Sequence, residues 1–444
     1  MQFKYGLDDK PPLGENLLLG VQWLFIAIPS IMIIGKIVGG FHFPNLPDQV
    51  IYLQKLSFVM AVTLFFQILL GHGLPLIAGP STVLLIGIIT SRGVDTETIY
   101  FTMMLGGLIL ALVSATGLFG HLQRLFTPRV IAVVLLLIGF TLMPTVMNLI
   151  SSPVGTVTSL THMVFSFCLI LGMIVFQKNT KGIWKSTLIV WAILFGSMVY
   201  HLLFPEGLSV QKGGDLAPLA FFFKHLTIHF SIDPGVFISF LFCFLALSIN
   251  DLGSIESLDD LLKPPGMAHR INRGLTFTGM ANVLAGFFGV VGPVNFSLSP
   301  GVILSTGCAS RYTLIPTALI LFLLSFSPAL MGLIGMVPPV VIGSVLAYIL
   351  CFQVMAGLFL LFKSEGPFQV ETGLIVGLPI LLGIIVAFLP AGVIDTFPAT
   401  LRPVMGNGFV IGTFIAFFLE HLVFRQKRKT SNPRPRKESR SLLK

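Results

Sequence analysis

The stretch "FSLSPGVILSTG", Phe296–Gly307, decides how the whole chain is read. It sets Ser297, Ser299, Pro300, Gly301, Ser305 and Thr306 into a sequence that is 55% hydrophobic. In hydrocarbon, a backbone group without a partner is costly, and proline removes a donor outright. Irregular backbone at membrane depth is tolerated only where protein covers it or a cavity meets it. The stretch is therefore a packing defect or a binding site, provided that the chain around it lies in a bilayer.

Composition puts it there. Charged residues are 10% of the 444, against ~25% in soluble domains. Val130–Gln177 runs for 48 residues, and Tyr312–Phe362 for 51, without one Asp, Glu, Lys or Arg. A crossing helix takes ~20 apolar residues, so each run holds two. The fold class expected is an all-α polytopic membrane protein. Its fourteen segments lie near 16–38, 54–72, 79–90, 97–118, 130–150, 157–177, 184–204, 234–257, 274–290, 299–310, 313–335, 339–361, 370–390 and 404–424. The third and tenth are too short to cross alone.

With the N-terminus inside, fourteen crossings return the C-terminus inside, and 21 of the 27 Lys and Arg fall on that side. That is the positive-inside bias, and it expects both termini to be cytoplasmic in a plasma or inner membrane. Residues 425–444 read as a disordered basic cytoplasmic tail that meets anionic lipid and not nucleic acid. The opening "MQFKYGLDDKPPLGEN" lacks the short apolar core of a cleavable signal. Cys168, Cys243, Cys308 and Cys351 fall within expected spans without a CxxC pair, so they read as small packing residues. No metal or other cofactor is expected.

A second stretch resembles the first. "LPLIAGPSTVLLIG" (Leu74–Gly87) aligns with "VNFSLSPGVILSTG" (Val294–Gly307), Pro80 on Pro300 and Gly87 on Gly307. Each has an extended apolar lead, a small residue with proline, then a short helix. The offset of 220 is close to half the chain. Two halves with seven crossings each insert with opposite orientation, the 7+7 inverted repeat in which Gly/Pro-interrupted segments point to the binding site. The extended leads, Leu74–Ala78 and Pro293–Ser297, can pair at the bilayer centre. Ser297 or Ser299 can cap the second half-helix, and Pro300 suits its first turn. The helix N-termini then aim their N–H groups at the midplane.

Four stretches resemble the nucleobase–ascorbate transporter family, the uracil, xanthine and purine permeases. They are "LLLGVQWLFIAIPSIMI", "SINDLGSIES", "SPGVILSTGCASRY" and "MVPPVVIGSVL", the third carrying Gly301, Thr306 and Arg311 where the family signature has Gly, Thr and Arg. The resemblance implies a core domain from residues 1–120 and 233–336 and a gate domain from 121–232 and 337–424. It also implies elevator-type exchange, proton or sodium symport, and a homodimer. The chain departs from the family at its site: Asn250 stands for the eighth-span carboxylate, Ser254 for Asp/His, and Leu298 and Ser299 for the tenth-span Gln/Glu and Asn.

Among candidate substrate contacts, Asn250 offers donor and acceptor to a base edge. Gly253 and Ser254 share its face three and four residues on, a spacing that small-residue helix packing also produces. Ser299 and Gly301 belong to the second half-helix, and Thr82 to the first. Gln22 reaches substrate or a neighbouring helix. Phe296 stacks on a planar base or joins the packing of the chain's 41 Phe. Asp251 and His72 are coupling candidates because they are ionisable at membrane depth, although a paired charge and a satisfied histidine are the plainer roles. Pro80, Pro300, Gly253 and Thr306 shape the site. The expected substrate is a nucleobase, with an anion or carboxylate as the alternative. No HExxH, paired catalytic carboxylates or Cys–His set supports an intramembrane enzyme.

Overall fold

The computed structural model describes residues 3–123, 125–152, 157–205, 217, 219–364, 370–398 and 400–424. The tail at 425–444 lies outside them. The chain is mostly helical. It opens with α1 (Leu13–His42), α2 (Leu46–Leu69), β1 (Ala78–Pro80), α3 (Thr82–Thr90) and α4 (Thr96–Ala115). Later helices are named here by their first residue, and the second strand is β2 (Pro293–Asn295).

Among the described residues, eight helices are long and apolar enough to cross a membrane: α1, α2, α4, Pro128–Ser151, Ser159–Asn179, Pro234–Glu256, Pro339–Lys363 and Val370–Ala387. Three shorter apolar helices are Leu188–Leu203, Arg311–Ser325 and Gly408–Val423. The segment expected as one span over 313–335 is broken: one helix ends at Ser325 and the next runs Pro328–Gly335. Proline at 328 supplies no N–H to continue the first helix.

Capping side chains start the helices where polar residues meet apolar runs. Asn45 accepts the Asp48 N–H for α2, and Asp233 accepts the Val236 N–H for the Pro234 helix. Val38, Leu56, Met103, Phe240, Leu247 and Val290 are fully buried in one core that joins α1, α2, α4 and the Pro234 helix.

Against α4 lies the Met267 helix (Met267–Phe287), at backbone distance. A Cβ on Gly279 would stand 2.5 Å from the Ala111 nitrogen, and one on Gly107 2.8 Å from the Gly279 carbonyl. In lipid, where apolar surfaces gain little by association, such close approach supplies the packing.

Residues 4–11 form a strap that pairs with the chain beyond the second half-helix. Lys4 N–H donates to Gly307 O at 2.9 Å, Ala309 N–H to Tyr5 O at 2.9 Å and Arg311 N–H to Leu7 O at 3.1 Å. Asp8 pairs with Arg311 at 2.9 Å. Phe3 and Leu7 pack on the cluster that holds Val302 and Ile303.

Candidate functional site

The two interrupted stretches meet. β1 and β2 pair antiparallel, with Ala78 opposite Asn295, Gly79 opposite Val294 and Pro80 opposite Pro293. Two further backbone bonds extend the ribbon, Ser81 N–H to Gly292 O and Phe296 N–H to Ile77 O, both 2.9 Å. Proline is accommodated because each strand has one partner only, so its missing donor faces no neighbour.

α3 leaves one end of the ribbon and the Ser299 half-helix (Ser299–Thr306) leaves the other. Ser81 caps α3 by accepting the Leu84 N–H at 3.3 Å. The second start differs from expectation. Its N-cap is Leu298 in a helical conformation, with no side-chain cap bond, and Pro300 occupies the first turn. Ser299, fully buried, accepts the Ile77 N–H at 3.1 Å and donates to Phe296 O at 3.2 Å. Its hydroxyl serves a main-chain donor of the lead-in, which would otherwise be orphaned at depth. Thr306 donates to Val302 O at 2.9 Å, and Gly307 ends the half-helix at φ +66°.

One face of this junction is open. Gly253 and Gly301 are exposed, and a Cβ on either would meet nothing within 4 Å. Ser297 is exposed and Leu298 is 50% exposed. Asn250 is half-buried, and its side-chain amide makes no hydrogen bond among the described residues. Phe296 is half-buried with its ring over Gly79, where a Cβ would stand 2.4 Å from the ring. Only glycine in β1 admits that ring.

Ser254 ties the Pro234 helix to the ribbon. It is fully buried, with its oxygen within 2.8 Å of Asn295 O and of the Ser297 hydroxyl, and 2.9 Å from Asn250 O. Thr82 is half-buried in the first turn of α3. Gln22 is 8% exposed on α1, with an amide nitrogen that finds no partner among the described residues. Ser30 of α1 lies beside Gly79.

Behind the ribbon lies a buried polar network. Asp251 is fully buried; Oδ1 accepts Asn295 N–H at 3.0 Å and Asn295 Nδ2–H at 2.7 Å, and Oδ2 accepts the Thr278 hydroxyl at 2.6 Å. Gln67 Nε2–H donates to Thr278 Oγ1 at 2.9 Å. His72 Nδ1 accepts the Leu74 N–H at 2.9 Å. Its proton therefore sits on Nε2, which faces Asn295 Oδ1 at 3.4 Å. The loop that carries His72 is held by Arg270, which donates to His72 O at 2.9 Å and to Gly73 O at 3.1 Å.

The structure thus brings Ser254, Phe296, Ser299 and Pro80 to the ribbon, with Asn250 and Gly253 on the same helix as Ser254, and Pro300 and Gly301 in the first turn of the half-helix. Asp251 and His72 meet the ribbon at Asn295. Asn295, Thr278 and Gln67 are the polar partners of this network that the sequence does not single out. An intramembrane amide between Pro293 and Phe296 was the available signal, since a polar group at that depth needs a partner.

Short extended leads, half-helices and long apolar helices define an integral membrane protein of the transporter class. Residues 14–392 match the sequence model described as "Permease family". The chain belongs to that family, the xanthine, uracil and purine permeases that its four motifs resemble, and it is a transporter and not an enzyme. Among its relatives, the "Xanthine permease" of Bacillus subtilis (strain 168) is 25% identical over 436 residues, covering 94% of this chain and 96% of the relative. The "Uric acid permease PucK" of the same organism is 24% identical over 428 residues, covering 94% and 97%. Among solved structures, the transmembrane domain of the cyanobacterial bicarbonate transporter BicA superposes with a TM-score of 0.61 at 16% identity, covering 86% of this chain and 98% of that one. Murine Slc26a9 superposes with a TM-score of 0.58 at 13% identity, covering 94% and 69%. These likenesses share the fold.

Proposed function

We propose that this permease carries a nucleobase of the xanthine and purine type. The observation that carries the reading is the Asn250 amide, without a hydrogen-bond partner among the described residues, one helical turn before Ser254, whose hydroxyl meets that of Ser297 at 2.8 Å. An amide offers a donor and an acceptor side by side, which matches the alternating edge of an oxidised purine. The half-helix N-termini add partial positive charge, and Phe296 supplies a ring for stacking. Gly253 and Gly301 leave the space, and Ser297 faces it. The names of the curated relatives agree with this substrate class.

The finer architecture follows the same reading. The eight long helices, the three shorter apolar ones, Met267–Phe287 and the two half-helices together make fourteen crossings in a 7+7 inverted repeat. Residues 1–120 and 233–336 form the core that moves substrate past a gate of 121–232 and 337–424, with both termini cytoplasmic. Transport is coupled to protons or sodium, and the unit is a homodimer.

A second reading has one observation in its favour. With Asn250 and Leu298 at the expected carboxylate positions, helix dipoles face no negative side chain there. A small anion or carboxylate suits that field. A thermal-shift panel on purified protein separates the two, using xanthine, uric acid, guanine, uracil, bicarbonate and short carboxylates. Stabilisation by purines alone supports the proposal; stabilisation by anions alone replaces it.

A further inference from the structure

We propose that Asp251 and Asn295 form the joint that sets the second half-helix against the Pro234 helix, making Asp251 a positioning residue that acts on substrate only through Asn295. The uptake arm of this inference rests on the transport reading above; the joint itself does not.

Asp251 is filled. Oδ1 takes two donors from one residue, the main-chain and side-chain N–H groups of Asn295. Oδ2 takes the Thr278 hydroxyl. Thr278 Oγ1 is itself an acceptor for Gln67, so its one hydrogen is free to point at Asp251. Among the described residues no cation pairs with the carboxylate, and three donors balance it. Three of the carboxylate's roughly four lone-pair sites are taken, and the residue is fully buried.

Asn295 is equally committed. Its two nitrogens serve Asp251, its Oδ1 faces His72 Nε2 at 3.4 Å, and its carbonyl faces the Ser254 hydroxyl at 2.8 Å. Binding both the backbone and the side chain of one residue to one oxygen fixes the strand's position and its rotation. Four residues further on, at Ser299, the half-helix starts, carrying Gly301, and between Asn295 and Ser299 lie Phe296, Ser297 and Leu298. A shift at Asn295 therefore moves every group on that side of the solute space. His72 belongs to the same joint, because Leu74 and Asn295 occupy its two ring nitrogens.

The test compares full-length Asp251→Asn, Asp251→Leu and Asn295→Ala with wild type. Asp251→Asn keeps the joint's shape: its carbonyl accepts both Asn295 donors, and its NH₂ donates to Thr278 Oγ1 once that hydroxyl turns away. Asp251→Leu strands three buried donors. Two readouts are needed, amide exchange over residues 296–301 without substrate, and purine uptake by proteoliposomes with and without a pH gradient.

For Asp251→Leu and Asn295→Ala, exchange rises and uptake falls by about tenfold or more, the size expected for stranded charged hydrogen bonds. Asp251→Asn stays within about threefold on both, with an unchanged response to the pH gradient. Loss of the gradient response in Asp251→Asn with normal exchange overturns the proposal, because the charge and not the shape would then matter. Wild-type exchange in Asn295→Ala also overturns it. If Asp251→Leu fails to insert, Asn295→Ala and Asp251→Asn decide. If wild type carries no purine, the substrate reading fails and the exchange arm still decides the joint.

Discussion

Replacing Asn250 by Ala separates binding from folding with unusual clarity. The side-chain amide has no hydrogen-bond partner among the described residues, so its removal strands nothing. The bond that Asn250 does make, from the Ser254 hydroxyl at 2.9 Å, goes to its main-chain carbonyl, which alanine retains. Helix propensity favours alanine slightly. The thermal midpoint of the empty protein is therefore expected to stay within about a degree of wild type, as for a change that opens no cavity and strands no polar group.

Bound substrate tells a different story. An amide reading a base edge makes two hydrogen bonds, each worth about 0.5–1.5 kcal/mol net. Their loss sums to about 1–3 kcal/mol, or roughly 5- to 150-fold in affinity. Purine-dependent thermal shifts and KM for uptake in proteoliposomes measure both halves. A fall in midpoint with unchanged KM would refute the reasoning, since Asn250 would then be a packing residue.

Gly301→Phe fills space in which a Cβ meets nothing within 4 Å, so uptake is expected to vanish while the thermal midpoint holds; retained uptake removes Gly301 from the solute path. Gly79→Ala drives a methyl to 2.4 Å from the Phe296 ring, and overpacking of that kind costs about 1–3 kcal/mol. It should lower both midpoint and purine affinity, and an unaffected variant would show that the ring is elsewhere. Asp8→Arg sets like charges at the 2.9 Å contact with Arg311. Exchange over residues 4–9 should rise with little change in midpoint, because Asp8 is 63% exposed and such pairs contribute ~1 kcal/mol or less; unaltered exchange would mean that the backbone bonds alone hold the strap.

Long apolar runs and the two Pro/Gly breaks were legible in the sequence because hydrocarbon punishes unpaired backbone so heavily. Pro80 and Pro300 mark the breaks, and two extended leads do pair. The first strand, however, is Ala78–Pro80 and not the expected Leu74–Ala78, so Pro80 lies in a strand where Pro300 lies in the first turn of a helix. The partners of buried polar groups were not legible. Asp251 and Asn295 are 44 residues apart, and nothing local to either names the other. Ser299 looked like a cap because serine before proline at a helix start usually is one; the orphan Ile77 N–H, 222 residues away, claimed it instead. The strap on Gly307–Arg311 was equally silent, since one polar opening segment resembles another until its partner is known.

A map of the purified protein with xanthine added tests the central claim most directly. Planar density beside the Asn250 amide and the Phe296 ring, at the start of the Ser299 half-helix, is the predicted result. Density at another place in the molecule, or continuous helices through residues 74–90 and 293–306 with no paired strands between them, would contradict it.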